Sequence, residues 1–393
     1  MDIIKNFALI FIFFTVSYSL YGSNFIVKPI TGASQINEYI DLLKGKNVAI
    51  VANQTSTIGS THLIDTLISL NVKVKVIFAP EHGFRGTSEA GENVKDGIDK
   101  NTKLQVVSLY GDHEKPSDKD LKNIDIVVFD IQDVGVRFYT YISTLQYVME
   151  SCASHNIQLI ILDRPNPHGG YVDGPVLNSK FKSFVGMQSI PVVYGMTIAE
   201  YALMLNGEYL LKDSMICNLK IIKLLNWDHL TNYILPINPS PNLPNKNAIN
   251  LYPSLCFFEG TKISVGRGTM IPFQVVGSPR NIKRKFYFIP QSILGMSLKP
   301  PYQGQKCFGL NLVKQGRVNP KKINLSFLLE MYKDYADKQS FFNNFFDNLA
   351  GTNELRLQII NSSTEEKIRA SWVEGIRSFK ITRKKYLLYK DFE

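Results

Sequence analysis

Phe129-Asp130-Ile131-Gln132-Asp133-Val134-Gly135-Val136-Arg137-Phe138-Tyr139-Thr140-Tyr141 is the stretch whose reading decides the fold. The apolar run Ile124 to Phe129 ends abruptly in two aspartates, a glutamine, an arginine and two tyrosines. A buried strand that delivers polar and charged groups at its C-terminal end is how open α/β sheets present a site. The bland alternative is a turn whose acids cap the following helix.

Working outward, the same pattern recurs. Asn47 to Ala52 reads as a strand followed by Asn53-Gln54-Thr55-Ser56, and Lys73 to Phe78 as a strand ending in Ala79-Pro80-Glu81-His82-Gly83-Phe84-Arg85-Gly86. Gln105 to Leu109 leads into Tyr110-Gly111, and Ile157 to Leu162 into Asp163-Arg164-Pro165-Asn166-Pro167. Helical spacing falls between them, around His62 to Leu70 and Tyr139 to His155, and Thr197-Ile198-Ala199-Glu200 has capping-box spacing before a helix through Leu205. Strands alternating with helices predict an α/β fold with a doubly wound, mostly parallel sheet. No G-x-G-x-x-G follows the first strand, which argues against a dinucleotide; P-loop, H-E-x-x-H and G-x-S-x-G motifs are absent as well.

The character changes near Tyr233. Pro236, Pro239, Pro241 and Pro244 mark an extended connector, followed by Phe258-Glu259-Gly260-Thr261 and Gly266-Arg267-Gly268-Thr269. Helices are predicted over Leu325 to Ala336 and Glu365 to Phe379, the second started by Ser362 or Ser363, each three residues before a Glu. The expected organisation is a targeting segment over 1–22, a catalytic domain over 23–247 and a smaller α/β domain over 248–393.

The first residues support export. Lys5 precedes the apolar run Phe7 to Val16, which is too short to span a bilayer, and Ser17, Ser19 and Gly22 offer cleavage positions. The protein is therefore expected in the periplasm or outside the cell, with no stable membrane span after cleavage. Cys152, Cys217, Cys256 and Cys307 show no C-x-x-C spacing and read as buried thiols. The net charge of +10 is concentrated: from Arg280 onward 21 Lys and Arg face 10 Asp and Glu, while the first 279 residues balance to −1. Such a surface suits an anionic partner such as cell-wall polymer, a membrane surface or nucleic acid, with simple solubility as the safer reading; export argues against nucleic acid.

Carboxylates dominate the candidate chemistry: Glu81, Asp130, Asp133, Asp163 and Glu259. A pair of acids flanking a bond is the equipment of glycoside hydrolysis. Each acid stands near a cation (His82 and Arg85, Arg137, Arg164, Arg267), which favours an anionic ligand over a metal site. No metal or other cofactor is expected. His62, His113, His155, His168 and His229 read as surface or structural residues.

Pro80-Glu81-His82-Gly83-Phe84-Arg85-Gly86, Ser108-Leu109-Tyr110-Gly111, the opening stretch from Asp130 to Tyr141, Leu162-Asp163-Arg164-Pro165-Asn166-Pro167, Ser240-Pro241-Asn242-Leu243-Pro244 and the Phe258 to Thr269 segment occur in one order. With Lys385-Tyr386-Leu387-Leu388-Tyr389, this set resembles the NamZ-type exo-β-N-acetylmuramidases from about Asn47 to Tyr389. Two departures are Met270-Ile271, where a small polar residue is expected, and His168 after the Pro-Asn-Pro turn.

The resemblance implies a Rossmann-like catalytic domain with a smaller C-terminal α/β domain, a cleft near their junction, and removal of terminal β-1,4-linked N-acetylmuramic acid from peptidoglycan fragments. On chemistry, Glu81 is expected as general acid, with Asp130 or Asp133 as second carboxylate or Tyr139 as nucleophile; assistance by the substrate's N-acetyl group stays open. Arg137, Arg164 or Arg267 is expected to hold the lactyl carboxylate, with Asn166 and Asn242 on hydroxyl or acetamido groups. His82, Arg85, Gln132, Asp163 and Glu259 complete the expected substrate-binding set. The reading from another class is a non-catalytic peptidoglycan-binding protein that uses the same cleft and the basic last third.

Overall fold

The structure, a computed structural model, describes residues 28–85, 96–319 and 321–393. The expected targeting segment over 1–22 and Gly86 of the Glu81 loop lie outside the described residues. After a short helix α1 (Ile40–Leu43) the chain forms β1 (Asn47–Ala52), a small hairpin of β2 (Thr57–Ile58) and β3 (Thr61–His62), α2 (Leu63–Ser69) and β4 (Lys73–Ala79). It continues through β5 (Gly97–Ile98), β6 (Gln105–Ser108), β7 (Ile126–Asp130), α3 (Tyr141–Ser154), β8 (Gln158–Leu162), α4 (Ile198–Gly207) and β9 (Leu219–Ile222).

Seven of these strands make one sheet in the order β5-β6-β4-β1-β7-β8-β9, parallel throughout except for the edge pair β5 and β6. The six parallel strands run third, second, first, fourth, fifth, sixth across the sheet, the doubly wound order. Period-two alternation explains the layers. Val48, Ile50 and Ala52 of β1 face one core with Leu63, Leu67, Ile77 and Val128. Ala49 and Val51 face the other, with Phe78, Phe129, Ile161 and Leu145. Burial on both faces is why β1 and β7 read as continuous apolar runs. The capping box before α4 is present, Thr197 accepting from the Glu200 amide and Glu200 from the Thr197 amide.

The second part begins with α5 (Lys246–Leu255), capped by Asn245, and contains a three-stranded antiparallel sheet, β10 (Val275–Ser278), β12 (Cys307–Asn311) and β11 (Phe286–Phe288) in spatial order. Helices α6 (Ser326–Asp334), α7 (Phe345–Ala350), α8 (Glu354–Ile360), α9 (Glu365–Ala370) and α10 (Val373–Lys384) complete it. The single helix expected over Glu365 to Phe379 is two, with the break at Ser371-Trp372. Its cap is Thr364, whose side chain accepts from the Lys367 amide, and not Ser362 or Ser363. Ser362 has φ +57, a left-handed conformation unlike the extended backbone of an N-cap. All four cysteines are buried. No helix among the described residues is long and apolar enough to cross a membrane.

One apolar core runs without interruption from the helix side of the large sheet to Phe257, Phe258, Phe341 and Phe346 of the second part. Arg137 sits inside it, fully buried. Its guanidinium donates to the carbonyls of Pro175, Ile190, Leu349 and Ala350 at 2.8–2.9 Å, two from each part of the chain. Gly351, with φ +72, passes so close that a Cβ there would lie 2.7 Å from a guanidinium nitrogen. Burial pulls the Arg137 pKa down to about 9, which still leaves a cation at neutral pH.

The expectation that Arg137 anchors a sugar carboxylate is therefore corrected: the side chain is fully buried, and its four Nη donors are committed to the junction. Arg137→Met is expected to leave four buried carbonyls without a donor and to cost roughly 3–5 kcal/mol. Urea unfolding measures this, and an unchanged midpoint would show that the junction does not depend on these bonds.

Candidate active site

A cavity of about 570 Å³ opens where the C-terminal ends of β4, β6 and β7 meet the second part of the chain. One wall carries Glu81 and His82 after β4, Tyr110 after β6, and Phe138, Tyr139 and Thr140 after β7. The facing wall carries Asn242 from the connector, Tyr252 and Cys256 near the end of α5, Glu259, Arg267, Phe273 and the Met296–Lys299 loop. Phe345 and Leu349 of α7 close it. Aromatic surface with a few polar groups is the usual composition of a small-molecule site of this size.

Glu81 owes its position to a tight turn. The Gly83 amide donates to the Pro80 carbonyl at 2.9 Å, and His82 and Gly83 both take positive φ, +72 and +74. A buried histidine in the left-handed region is uncommon and costs conformational energy. The turn leaves Glu81 partly exposed to the cavity. Thr140 Oγ1 donates to Glu81 Oε2 at 2.7 Å, and the Tyr110 hydroxyl is hydrogen-bonded to the same carboxylate. Burial, reinforced by the Glu81 charge, pushes the Tyr110 phenol well above its ordinary value, so Tyr110 keeps its proton and acts as donor. Arg85 leaves the site. It forms a forked ion pair with Asp99 at 2.9–3.1 Å and lies 4.4 Å over the Phe84 ring.

On the facing wall Arg267 Nε contacts Glu259 Oε1 at 2.5 Å, and the guanidinium lies 5.1 Å over the Phe273 ring. Glycines at 266 and 268 take φ +80 and +76 and put Arg267 at this place. Glu81 and Glu259 are the carboxylates among the described residues lining the cavity. Lys299, on the rim, is exposed and has no carboxylate partner among the described residues.

The remaining expected residues are in the protein's interior, not in the cavity lining. Asp130 is fully buried at the end of β7 and forms a two-point ion pair with Arg164 from the end of β8, Nε–Oδ1 2.6 Å and Nη2–Oδ2 2.9 Å. Both partners are thereby removed from the candidate chemistry. Asp163 accepts from the Tyr389 hydroxyl at 2.5 Å and from the amides of Arg164 and Ala199, tying the C-terminal tail to β8. Gln132 donates to the carbonyls of Asp133 and Pro165. Asn166 donates to Met196 O and accepts from the His168 amide.

Asp133 accepts from the Gly135 amide at 2.6 Å and from the Tyr194 hydroxyl, and does not line the cavity. Tyr139 does line it, but its hydroxyl donates to Pro239 O at 2.8 Å. Burial, with the neighbouring phenol of Tyr141, pushes its pKa well above the ordinary value, so it is held protonated, the wrong form for a nucleophile. Tyr110 and Thr140 were missed as partners of Glu81, although both stand in quoted strand-end motifs. Tyr252 and the Met296–Lys299 loop carry no sequence signal that distinguishes them.

Burial pushes the Asp133 carboxyl up to about 6, partly offset by the Tyr194, Gly135 and Val134 donors. The folded state thus holds this proton more tightly than the unfolded chain, whose carboxyl titrates near pH 4. The contribution to stability is fullest in acid and falls as pH rises from about 4 to about 6. Asp133→Asn abolishes that slope. Relative to the parent, the variant is expected to gain up to about 3 kcal/mol between pH 4 and 7. Parallel pH profiles in denaturant unfolding would contradict the assignment.

Comparisons with known proteins show the family. The model of the NamZ exo-β-N-acetylmuramidase N-terminal region matches residues 48–247, and that of the C-terminal region matches 250–389. The chain is 36% identical over 372 residues to the peptidoglycan β-N-acetylmuramidase NamZ of Bacillus subtilis strain 168, covering 90% of this chain and 89% of the relative. Two crystal structures of DUF1343 family proteins from Bacteroides fragilis NCTC 9343 are similar to it. One is 45% identical with a TM-score of 0.86, the other 30% identical with 0.78, and each covers 93% of this chain and 100% of its own. With both family models matched in order across most of its length, the chain belongs to the NamZ exo-β-N-acetylmuramidase family.

Proposed function

We propose that this protein is an exo-acting glycoside hydrolase that removes terminal β-1,4-linked N-acetylmuramic acid from peptidoglycan fragments, with Glu81 as its general acid. The observation that carries this reading is the placement of Glu81 at the mouth of an aromatic-lined cavity, held by Thr140 and Tyr110. Two hydroxyl groups on one carboxylate fix its direction, which is what proton transfer to a glycosidic oxygen requires.

In the step itself Glu81, as general acid, gives a proton to the bridging oxygen. The C1–O bond breaks with its electron pair on that oxygen, and positive charge grows on the sugar ring. Glu259, the other cavity carboxylate, takes the part first expected of Asp130 or Asp133: it faces the developing charge from the opposite wall. Water then adds its oxygen to C1 and gives up a proton, which restores the Glu81 carboxyl. Arg267, with Lys299 on the rim, supplies the positive charge for the lactyl carboxylate that distinguishes muramic acid from glucosamine. The Lys5 to Val16 segment supports export, which brings the enzyme to its substrate.

The test is release of the chromophore from an aryl β-N-acetylmuramide. Glu81→Gln, which leaves the Thr140 bond an acceptor, is expected to lower kcat about 10²–10⁴-fold while KM changes little. Binding of the muramide by the parent protein without any release would sink this reading and favour a non-catalytic wall-binding protein.

A further inference from the structure

Asn242, a residue of the cavity wall, has an acceptor without a partner among the described residues. The residue is 1% exposed and lines the cavity. Its Nδ2 donates to the Met296 carbonyl at 2.8 Å, and its own amide donates to Ser240 Oγ at 3.2 Å. A carbonyl oxygen accepts and never donates, so Met296 settles which end of the side-chain amide faces it. The other end, Oδ1, is buried with no hydrogen-bond partner among the described residues. A buried acceptor left bare costs about 1–3 kcal/mol, so such an atom on a cavity-lining residue is suited to a donor that arrives with the ligand.

Resting on the muramidase reading above, we infer that Asn242 is a specificity-determining residue whose Oδ1 accepts the N–H of the 2-acetamido group of the terminal sugar. The acetamido N–H is the one nitrogen donor on that sugar. Its methyl group needs apolar surface close by, and Leu243, next in the chain, and Met296, whose carbonyl holds the amide, both line the same cavity. Discrimination follows from chemistry: a sugar with oxygen in place of that N–H sets a lone pair against Oδ1. Recognition by an acceptor that must be satisfied separates ligands more sharply than apolar contact does.

The test uses two hydrolysis-resistant ligands, the methyl thioglycoside of N-acetylmuramic acid and its analogue with a 2-O-acetyl ester in place of the amide. Binding is measured by calorimetry on the full chain. The parent protein is expected to bind the amide at least ~10-fold more tightly than the ester. In Asn242→Ala the two are expected to bind within about 2-fold of each other, the amide having lost most of its advantage. A variant that weakens both ligands equally and keeps the ratio would show that Asn242 only supports the Met296 loop, and overturns the inference. Equal binding of both by the parent overturns it without any variant, and leaves the hydrolysis reading standing. Failure of the parent to bind either ligand overturns the inference together with the reading of the cavity on which it rests.

Discussion

A buried guanidinium with four carbonyl partners holds the two parts of this protein together. Among the described residues Arg137 has no carboxylate partner; its charge is met by the carbonyls of Pro175, Ile190, Leu349 and Ala350. Removing a cation from water is expensive, and only a nearly complete set of oriented dipoles makes it tolerable. That requirement fixes the distance between the strand-end loop after β7 and helix α7. Phe138, Tyr139 and Thr140 follow Arg137 on one side of the cavity, and Phe345 and Leu349 belong to the helix on the other. The cavity exists at its observed width because the junction cannot relax in either direction.

The sheet has the strand order of nucleotide-binding proteins, and ligands in such folds usually occupy the crevice where that order reverses, here between β1 and β7. This protein fills it. Asp130 and Arg164 form their ion pair there, Ser56 donates to the Asp130 carbonyl, and Asn53 is fully buried against the Tyr141 hydroxyl. The cavity is displaced toward the ends of β4, β6 and β7, where the second part of the chain supplies the opposite wall. The absence of a glycine-rich phosphate loop after β1 agrees with a crevice given over to structure.

Acids accompanied by arginines were read in the sequence as a sign of an anionic ligand. The physical rule was sound, but it does not separate a guanidinium waiting for a substrate from one already paired. Asp130 with Arg164 and Asp99 with Arg85 are internal pairs. Arg267 is the arginine of the expected set that reaches the cavity, and even it is shared with Glu259. Glu81 was legible because a Pro-Glu-His-Gly turn directly after a strand has few other uses. Glu259 was legible as a candidate, but not that it lines the same cavity as Glu81. Nothing in a linear chain measures which loop faces which.

The sequence by itself determined the alternation of strands and helices, the doubly wound sheet, and the convergence of polar groups at one end of it. These follow from local periodicity and from apolar runs too long and too continuous to face water. It also determined the family, through motifs that survive in order. Tertiary structure decided what each motif residue does. Burial made Asp133 and Asp163 weaker acids than a free carboxyl, about 6 and about 7 in pKa, and set Asp130 against Arg164. It left Glu81, Glu259 and the bare oxygen of Asn242 around one cavity. Desolvation and pairing depend on neighbours far away in the chain, and those neighbours are assigned only when the chain has folded.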